Sequence, residues 1–213
     1  MSPDEFAEFL FDALLQLERA CTNNALLYVF MDWRHQFELL MAREKLMIPL
    51  INMCVWVKNN GGMGSFYRSQ HELVYVFKHG DGLFINNVEL GKHGRYRTNV
   101  WNYPGVNSFG EGRDEALAMH PTVKPVAMIA DAILDATNRG DIVLDGFLGS
   151  GTTLLAAEQT GRTCYGVEID PRYVDVAVRR WEEATGNTAI HEQSSVAFED
   201  VTIRRPDPTM REL

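Results

Sequence analysis

A strand-like apolar run that enters a glycine-rich turn and then a helix is the feature that most constrains this chain. Residues 142–145 form the run, Gly149 and Gly151 lie in the turn, and a helical pattern starts near Thr152. Glycines in such a turn allow backbone N–H groups at a helix N-terminus to approach a ligand closely. The turn lacks the lysine of a P-loop and the full G-x-G-x-x-G spacing, which disfavours triphosphate binding; alone, it is also compatible with an ordinary tight turn.

Patterns on both sides of the turn predict alternating helices and strands. The order strand, helix, strand, helix is typical of a parallel doubly wound sheet, so we expect an α/β fold. The predicted elements are a helix from 2 to about 22, a buried parallel strand 25–31, a helix 32–45, an antiparallel pair of strands 51–57 and 73–78, an irregular segment 80–119, a helix 126–136, a strand 141–144, a helix from 152, a strand 163–169 and a helix from 170.

Glu168 ends the strand after the glycine turn, 17 positions beyond Gly151. In doubly wound folds, an acidic side chain about 20 residues beyond such a turn accepts the hydroxyls of a nucleoside ribose. The glycine turn and Glu168 together therefore favour an adenosine-containing ligand. For Asp170, which precedes Pro171, a helix-capping role is the stronger interpretation.

Composition narrows the class of protein. With 213 residues, 46% of them apolar, the chain is long enough for one domain with a real core. Its apolar stretches are too short to cross a bilayer and its acidic N-terminus differs from a signal peptide, so we expect a soluble cytoplasmic protein. The three cysteines suit neither a disulfide framework nor a C-x-x-C site, and His71, His79 and His93 lack metal-ligand spacing, so reduced, buried thiols and no metal are expected.

Charge is distributed unevenly along the chain. The net charge is −9, but residues 58–113 carry seven Lys and Arg against four Asp and Glu, while both flanks are acidic. Only the middle of the chain could face phosphates.

Three segments together resemble a known family. Residues 120–125 (His-Pro-Thr-Val-Lys-Pro), 145–153 (Asp-Gly-Phe-Leu-Gly-Ser-Gly-Thr-Thr) and 166–171 (Gly-Val-Glu-Ile-Asp-Pro) look like the tenth, first and second motifs of the amino-group DNA methyltransferases. These enzymes use S-adenosylmethionine to methylate the exocyclic nitrogen of adenine or cytosine. The motif order is similar to the beta arrangement, and residues 55–72 look like the target-base side of such enzymes.

The resemblance implies a Rossmann-like doubly wound methyltransferase sheet with an irregular inserted segment that faces DNA. It implies a single domain over 1–213, with a target-base half at 1–79, a recognition-like segment at 80–119 and a cofactor half at 120–190. Asp145, Phe147 and the glycines would surround the cofactor, Thr122 and Lys124 would approach its methionine end, and Glu168 would hold its ribose. The implied cofactor-binding residues are Thr122, Lys124, Asp145, Phe147, Gly149, Gly151, Thr152, Thr153 and Glu168.

Two details of this turn are open. Thr152 and Thr153 suit ligand contact and helix capping equally. Gly146 stands where the family usually has proline, which adds backbone freedom at a cost of about 1 kcal/mol but need not abolish binding.

The basic middle segment is the predicted DNA contact. Cations can neutralise phosphates and aromatic rings can stack on an extruded base, although residues of this kind also occur in ordinary polar loops. The resemblance favours DNA. The predicted contact residues are Lys58, Tyr67, Arg68, Arg95 and Arg97, with Lys92, Arg113, Tyr96, Trp101 and Tyr103 interleaved.

A catalytic motif of the family is absent from the sequence. These enzymes hold the target amino group with an Asp/Asn/Ser-Pro-Pro-aromatic motif, which the beta arrangement would place shortly before Met1, so the catalytic residues are unknown. In the family this motif ends a central strand beside the strand that carries Asp145. Its loss predicts two unpaired strand edges in mid-sheet, and hence an N-terminally truncated protein that is unstable or needs a homodimer or complementing chain, or a fold that closes over the gap.

The leading hypothesis is a site-specific DNA methyltransferase of restriction-modification type that acts on adenine or, less favoured, cytosine. The mechanism implied is base flipping and direct attack of the amino nitrogen on the cofactor's methyl group, without a covalent enzyme intermediate. An inactive subunit or remnant that binds S-adenosylmethionine and DNA is the alternative. A small-molecule or RNA methyltransferase is a weaker third hypothesis.

Overall fold

The computed structural model describes residues 1–62, 66–92, 96–105 and 123–203. Its helices are α1 Pro3–Ala20, α2 Gln36–Leu46, α3 Val126–Ala136, α4 Thr152–Thr160, α5 Pro171–Thr185 and α6 Phe198–Ile203. Its strands are β1 Leu26–Met31, β2 Leu50–Val57, β3 His71–Lys78, β4 Val100–Asn102, β5 Ile142–Asp145, β6 Thr163–Gly166, β7 Ile190–His191 and β8 Val196–Ala197.

The first four strands form one sheet in the order β1-β3-β2-β4. The predicted antiparallel pairing of β2 with β3 is confirmed, with Cys54 opposite Val74 and Trp56 opposite Glu72. The prediction that β1 is a buried parallel strand is wrong, because β1 is half-buried and pairs antiparallel with β3. The short link from β2 to β3 reverses the chain and inserts β3 between β1 and β2, so β3 runs against both.

Strand β4 lies within residues 80–119, whose sequence pattern predicts an irregular segment. It pairs parallel with β2 and places Trp101 opposite Trp56. Trp101 is 5% exposed and belongs to the core, so it cannot stack on a base, and its assignment to the DNA-facing aromatics is wrong. Three residues are too few for a period of 2 to emerge from a polar stretch, which explains why the pattern missed this strand.

The second half of the chain contains a parallel two-stranded unit. Strand β5 pairs with β6, with Val143 opposite Cys164, and α4 connects the two. This confirms the predicted strand, helix, strand order. The second strand ends at Gly166 rather than at 169, and the Val167 and Ile169 side chains beyond it are 62% and 97% exposed.

Two hydrophobic clusters lie on opposite faces of the four-stranded sheet. One contains residues of β2, β3 and β4 with α3 and α4, and Val143 of β5 packs against it. The other contains residues of β1 and β3 with α1 and α2, including Leu10, Leu14 and Leu39. Alternating side chains along the central strand β3 therefore pack against helices on opposite faces of the sheet, as the period of 2 in a strand requires.

Helix starts follow the sequence signals closely. At α1, the Ser2 hydroxyl accepts the Glu5 N–H and the Glu5 carboxylate accepts the Ser2 N–H, which confirms the capping box. At α5, Asp170 accepts the Arg172 N–H as N-cap, and bonds from the Arg172 side chain and backbone lower the Asp170 pKa to about 2. Helix α2 begins four residues later than predicted because Asp32 accepts N–H groups of the intervening turn.

In the described part of the chain, the four-stranded sheet and the β5–β6 pair are not hydrogen-bonded to each other. Within the described residues, β1 has only β3 as a partner and β5 has only β6, so each has one edge without a strand neighbour. The edges of β1 and β5 are consistent with the two unpaired edges that the absent motif predicts, although in the described residues β4 and β6 also have one such edge each. Separately, none of the helices in the described part of the chain combines the length and apolarity that crossing a bilayer requires.

All three cysteines are free, but only Cys54 is buried, whereas Cys21 and Cys164 are partly exposed. Burial is the main cause that raises the pKa of Cys54 and of Cys164 to about 11, and the nearby Asp145 carboxylate adds to the rise at Cys164. Both thiols are therefore protonated at neutral pH, in keeping with the expected reduced state.

The raised thiol pKa values predict that stability falls at alkaline pH. Above the ordinary value of 9.0 the unfolded chain releases the thiol protons, whereas the folded chain keeps them up to about pH 11. The unfolding free energy should therefore decrease as pH rises through this window. Urea unfolding across the window should show a flatter pH slope for the double variant Cys54→Ala, Cys164→Ala. Equal slopes would contradict the assignment.

Candidate functional site

The glycine turn joins β5 to α4 and is packed against α5. Gly149 and Gly151 have φ values of 54° and 81°, in the left-handed region that favours glycine. A Cβ at Gly151 would lie 2.8 Å from the Ala177 Cβ and 3.0 Å from its Cα. Position 151 therefore requires glycine, because its φ is positive and a Cβ there would lie too close to the Ala177 backbone. The turn places the N-terminus of α4 at the carboxyl end of β5.

Two predicted cofactor carboxylates organise this turn. Asp145 accepts the Phe147 N–H at 2.9 Å and the Thr153 hydroxyl at 2.6 Å. Glu168 accepts the Gly149 N–H at 2.8 Å with one oxygen and the Asp170 N–H at 2.9 Å with the other. The structure thus brings both carboxylates to the carboxyl ends of adjacent parallel strands.

The departure at Gly146 has a local packing reason. A Cβ at this position would lie 3.0 Å from the Leu17 Cδ2, so the missing side chain leaves room for α1 to close over the turn. Next to it, the Phe147 ring is 61% exposed and lies 6.1 Å from the Phe9 ring in an edge-to-face contact. The Phe147 ring is therefore accessible to a ligand at the turn.

Lys124 connects the turn to the four-stranded sheet. Its carbonyl accepts the Thr152 hydroxyl at 3.3 Å, and its Nζ lies 5.0 Å from the Phe30 ring centroid. Thr152 is 7% exposed and bonds to Lys124, whereas Thr153 bonds to Asp145. These hydroxyls therefore hold neighbouring segments in place and neither caps α4.

The loop between β2 and β3 carries exposed aromatic and basic groups. Tyr67 is 81% exposed and its neighbour Phe66 is 86% exposed. Arg68 donates from Nε to the Gly62 carbonyl at 3.2 Å, which closes the loop on itself. Lys58, at the loop base, forms an ion pair with Glu72 at 3.3 Å. Three of the five predicted DNA-contact residues therefore lie on one loop.

Arg97 occupies a different environment. Its Nε lies 2.6 Å from Asp135 and its Nη1 lies 3.6 Å from Asp131, both on α3, while its guanidinium is 5.3 Å from the Trp101 ring centroid. Tyr103 donates a short hydrogen bond to Asp131. Arg97 and Tyr103 thus fasten this part of the chain to α3, and their contact with DNA stays a prediction.

Several predicted residues lie outside the described part of the chain. They are Thr122 of the cofactor set, Arg95 and Arg113 of the DNA set, and His93 and His120. Two others are described: Tyr96 is 77% exposed, and Lys92 lies 3.6 Å from Glu89.

Two residues at the site were not singled out from the sequence. Glu72 forms an ion pair with Lys124, with 3.0 Å between Oε1 and Nζ, in addition to its ion pair with Lys58. Arg180 of α5 donates to the Ser150 hydroxyl at 3.0 Å, which fixes the middle of the turn. Glu72 directly precedes the apolar run 73–78 in the sequence and Arg180 lies on the polar side of a helix, so neither position carried a distinguishing signal.

Three described histidines contact polar side chains, His35 with Glu38, His79 with Glu18 and His191 with Ser194. The His79 Nδ1 lies 3.0 Å from the Glu18 carboxylate. Over the described ranges, no three His, Cys, Asp or Glu side chains come together in a way that could hold a metal ion.

The arrangement has a clear chemical character. Two carboxylates, an exposed phenyl ring and a helix N-terminus with left-handed glycines meet at the carboxyl ends of β5 and β6. In open α/β sheets this is where ligands bind. The carboxylates can accept hydrogen bonds from hydroxyl groups and attract a cation, and the ring can cover an apolar or planar group.

Comparison with known proteins identifies the architecture. The profile of a family described as DNA methylase (N6_N4_Mtase) matches residues 1–179. The chain is 26% identical over 212 residues to the DNA adenine methyltransferase YhdJ of Escherichia coli strain K12, covering 87% of this chain and 70% of that protein. It is also 26% identical over 223 residues to the type II methyltransferase M.HpaI of Haemophilus parainfluenzae, covering 98% and 68%.

Solved structures share the fold. The M1.HpyAVI–SAM complex superposes with a TM-score of 0.65 and 25% identity, covering 82% of this chain and 81% of that one. The cytosine-N4-specific PvuII DNA methyltransferase has a TM-score of 0.72 at 17% identity, covering 87% and 76%, which bears on fold alone. The Rossmann-like α/β class predicted from sequence is confirmed.

The close approach at the turn predicts unequal costs for two glycine substitutions. Gly151→Ala and Gly186→Ala both impose a left-handed conformation on alanine, at about 1–2 kcal/mol each. Only at Gly151 does the new Cβ meet the Ala177 backbone, since nothing lies within 4 Å at Gly186. Gly151→Ala should therefore cost about 1–3 kcal/mol more than Gly186→Ala in urea unfolding. Equal losses would show that α5 does not pack on the turn as described.

Proposed function

The chain belongs to the N6_N4 DNA methylase family, and we propose that it transfers a methyl group from S-adenosylmethionine to the exocyclic amino group of adenine in DNA. The observation that carries this proposal is the glycine turn with Asp145 and Glu168 bound to its backbone. Family membership supplies the reaction class.

The residues of the turn suit this cofactor. Glu168 uses each oxygen for one backbone N–H and keeps further lone pairs for ribose hydroxyls. Asp145 and Phe147 border the same turn, and Lys124 approaches it from the segment before α3, so these residues would hold the adenosine and methionine parts. When bound, S-adenosylmethionine supplies an activated methyl group on a positively charged sulfur. Nearby carboxylates favour that charge.

Adenine is the favoured target because the relative YhdJ is named as a DNA adenine methyltransferase. Cytosine is the alternative, and the PvuII enzyme, which shares the fold, is named as cytosine-N4-specific. The exposed rings of Phe66 and Tyr67, with Lys58 and Arg68 close by, support a role of this loop in contacting DNA. A protein that modifies cellular DNA would work in the cytoplasm, so we propose that location. We also propose that residues 1–213 form a single domain, as the family resemblance implies.

Cofactor binding provides the first test. Isothermal calorimetry with S-adenosylmethionine should detect binding to the intact chain, and Asp145→Ala and Glu168→Ala should each weaken it about tenfold or more, because each removes a charged acceptor. Glu158→Ala is the matched control, since Glu158 lies at the far end of α4 and bonds to the Trp181 indole. Absence of heat with the intact chain, or unchanged affinity in both site variants, would refute the proposed site.

A second proposal concerns how the chain becomes active. We propose that a strand from a complementing chain or segment occupies the space between β1 and β5 and carries the Asp-Pro-Pro-aromatic motif. Alone, the described chain would then bind cofactor and DNA without methyl transfer. A second copy of the chain is the competing arrangement, and size-exclusion chromatography with light scattering separates the two.

Three observations support a parallel strand at this position. Each of β1 and β5 lacks a neighbour on one edge within the described residues. Lys124 contacts Phe30 near the end of β1 and bonds to Thr152 just after the turn that follows β5, so both strands end at the same side of the molecule. Ile142 of β5 is 65% exposed, which is unusual for an apolar residue in a doubly wound sheet.

A peptide tests this proposal. An apolar segment ending in Asp-Pro-Pro-Tyr should protect the backbone amides of β1 and β5 from hydrogen exchange. It should also enable transfer of tritiated methyl to duplex DNA. The matched control replaces one central apolar residue with proline, which cannot donate a ladder hydrogen bond. Methyl transfer by the chain alone, or equal protection by both peptides, would overturn the proposal.

A further inference from the structure

Glu72 holds lysines from the two halves of the chain on one carboxylate. Its Oε1 lies 3.0 Å from the Lys124 Nζ, and its Oε2 lies 3.3 Å from the Lys58 Nζ. Lys124 belongs to the segment before α3, whereas Lys58 follows β2 and Glu72 is the second residue of β3. One side chain therefore bridges segments that are far apart in sequence and serve different parts of the proposed site.

The bridge is partly shielded from water. The exposed fraction of the Glu72 side chain is 19%, and the fractions for Lys124 and Lys58 are 22% and 29%. Each ammonium group also lies over an aromatic ring, Lys58 at 4.4 Å from the Trp56 centroid and Lys124 at 5.0 Å from that of Phe30. Shielding and the ring contacts make these pairs stronger and more fixed in direction than exposed surface pairs.

Both lysines are attached to parts that would meet ligands. The Lys124 carbonyl bonds to Thr152 at the start of α4, next to the glycine turn. The Lys58 N–H donates to the Gln70 carbonyl at 2.9 Å, and the Gln70 amide returns a bond to the Lys58 carbonyl at 2.8 Å. These two bonds close the base of the loop that displays Tyr67. Glu72 thus pairs with one lysine next to the cofactor turn and with another at the base of the aromatic loop.

We infer that Glu72 is a positioning residue that couples cofactor binding at the glycine turn to DNA binding by the 58–70 loop. The inference rests on the proposed function and adds to it a link between the two binding events. Two ammonium groups share one carboxylate, so the cluster has an excess positive charge. A ligand that fixes Lys124 in its pair with Glu72 also fixes the carboxylate, and with it the Lys58 ammonium on the other oxygen.

The consequence is a cooperative binding cycle. If cofactor binding orders Lys124, then Lys58 and the loop base are ordered with it, and the affinity for DNA rises. By linkage, DNA must raise the affinity for cofactor by the same factor. Removing the bridge should abolish this factor and leave each separate binding event in place.

The test measures that factor directly. The affinity of a fluorescein-labelled duplex of mixed sequence is measured with and without saturating S-adenosylhomocysteine, for the intact chain and for Glu72→Asp. Aspartate keeps the charge but is one methylene shorter, so it cannot reach both lysines. We expect cofactor to tighten DNA binding about fivefold or more in the intact chain and to leave it nearly unchanged in Glu72→Asp. Glu44→Gln is the control, because Glu44 pairs with Arg43 at an exposed site.

A second measurement does not depend on ligands. In the ligand-free protein, hydrogen exchange in Glu72→Asp should speed up together at the Lys58 and Gly62 amides, which close the loop, and at the Met128 and Ile129 amides, which bond to Pro125. Unchanged exchange at either group would overturn the inference. So would equal coupling factors in the intact chain and the variant, or binding of both ligands without coupling. The intact chain could fail to bind cofactor while exchange still speeds up at both groups of amides in Glu72→Asp. That result would refute the proposed function but support the structural bridge through Glu72.

Discussion

The Glu168 carboxylate joins the two loops that meet at the glycine turn. Glu168 accepts N–H groups from Gly149 and Asp170, and so ties the loop after β5 to the loop after β6. These donors come from irregular backbone that has no ladder partner there, and such groups must find an acceptor when they are shielded from water. The turn can then remain open toward ligand while Ala177 packs against Gly151 behind it. One face of the turn backbone is thus available to a ligand, and its other face packs against α5.

Sequence reasoning succeeded where local chemistry alone determines structure. The capping box at Ser2, the cap at Asp170 and the strand to turn to helix sequence at 142–157 all depend on neighbours within a few residues. It failed where pairing between distant segments decides the outcome. The direction of β1 is determined by the insertion of β3, and β4 exists because Trp101 enters the core beside Trp56.

The same division applies to the site. Motif spacing predicted Asp145 and Glu168, and the structure brings them to one turn. Glu72 had no motif to mark it, because its role depends on two lysines that approach from segments on either side of it in the chain. Arg97 shows another limit, since composition cannot distinguish a cation directed at solvent from one that packs on Trp101 and pairs with α3, and its contact with DNA stays a prediction.

The attachment of residues 96–103 to α3 has a consequence for protein engineering. Arg97 and Tyr103 are bound to acidic residues of that helix, and Trp101 lies beneath them in the core. A chimera that replaces this whole stretch with one that lacks a cation at position 97 would remove the Arg97 pairs with Asp131 and Asp135. The 66–68 tip, whose aromatic side chains face solvent, can be exchanged independently. Junctions for altered sequence preference are therefore better placed at the base of that loop than across β4.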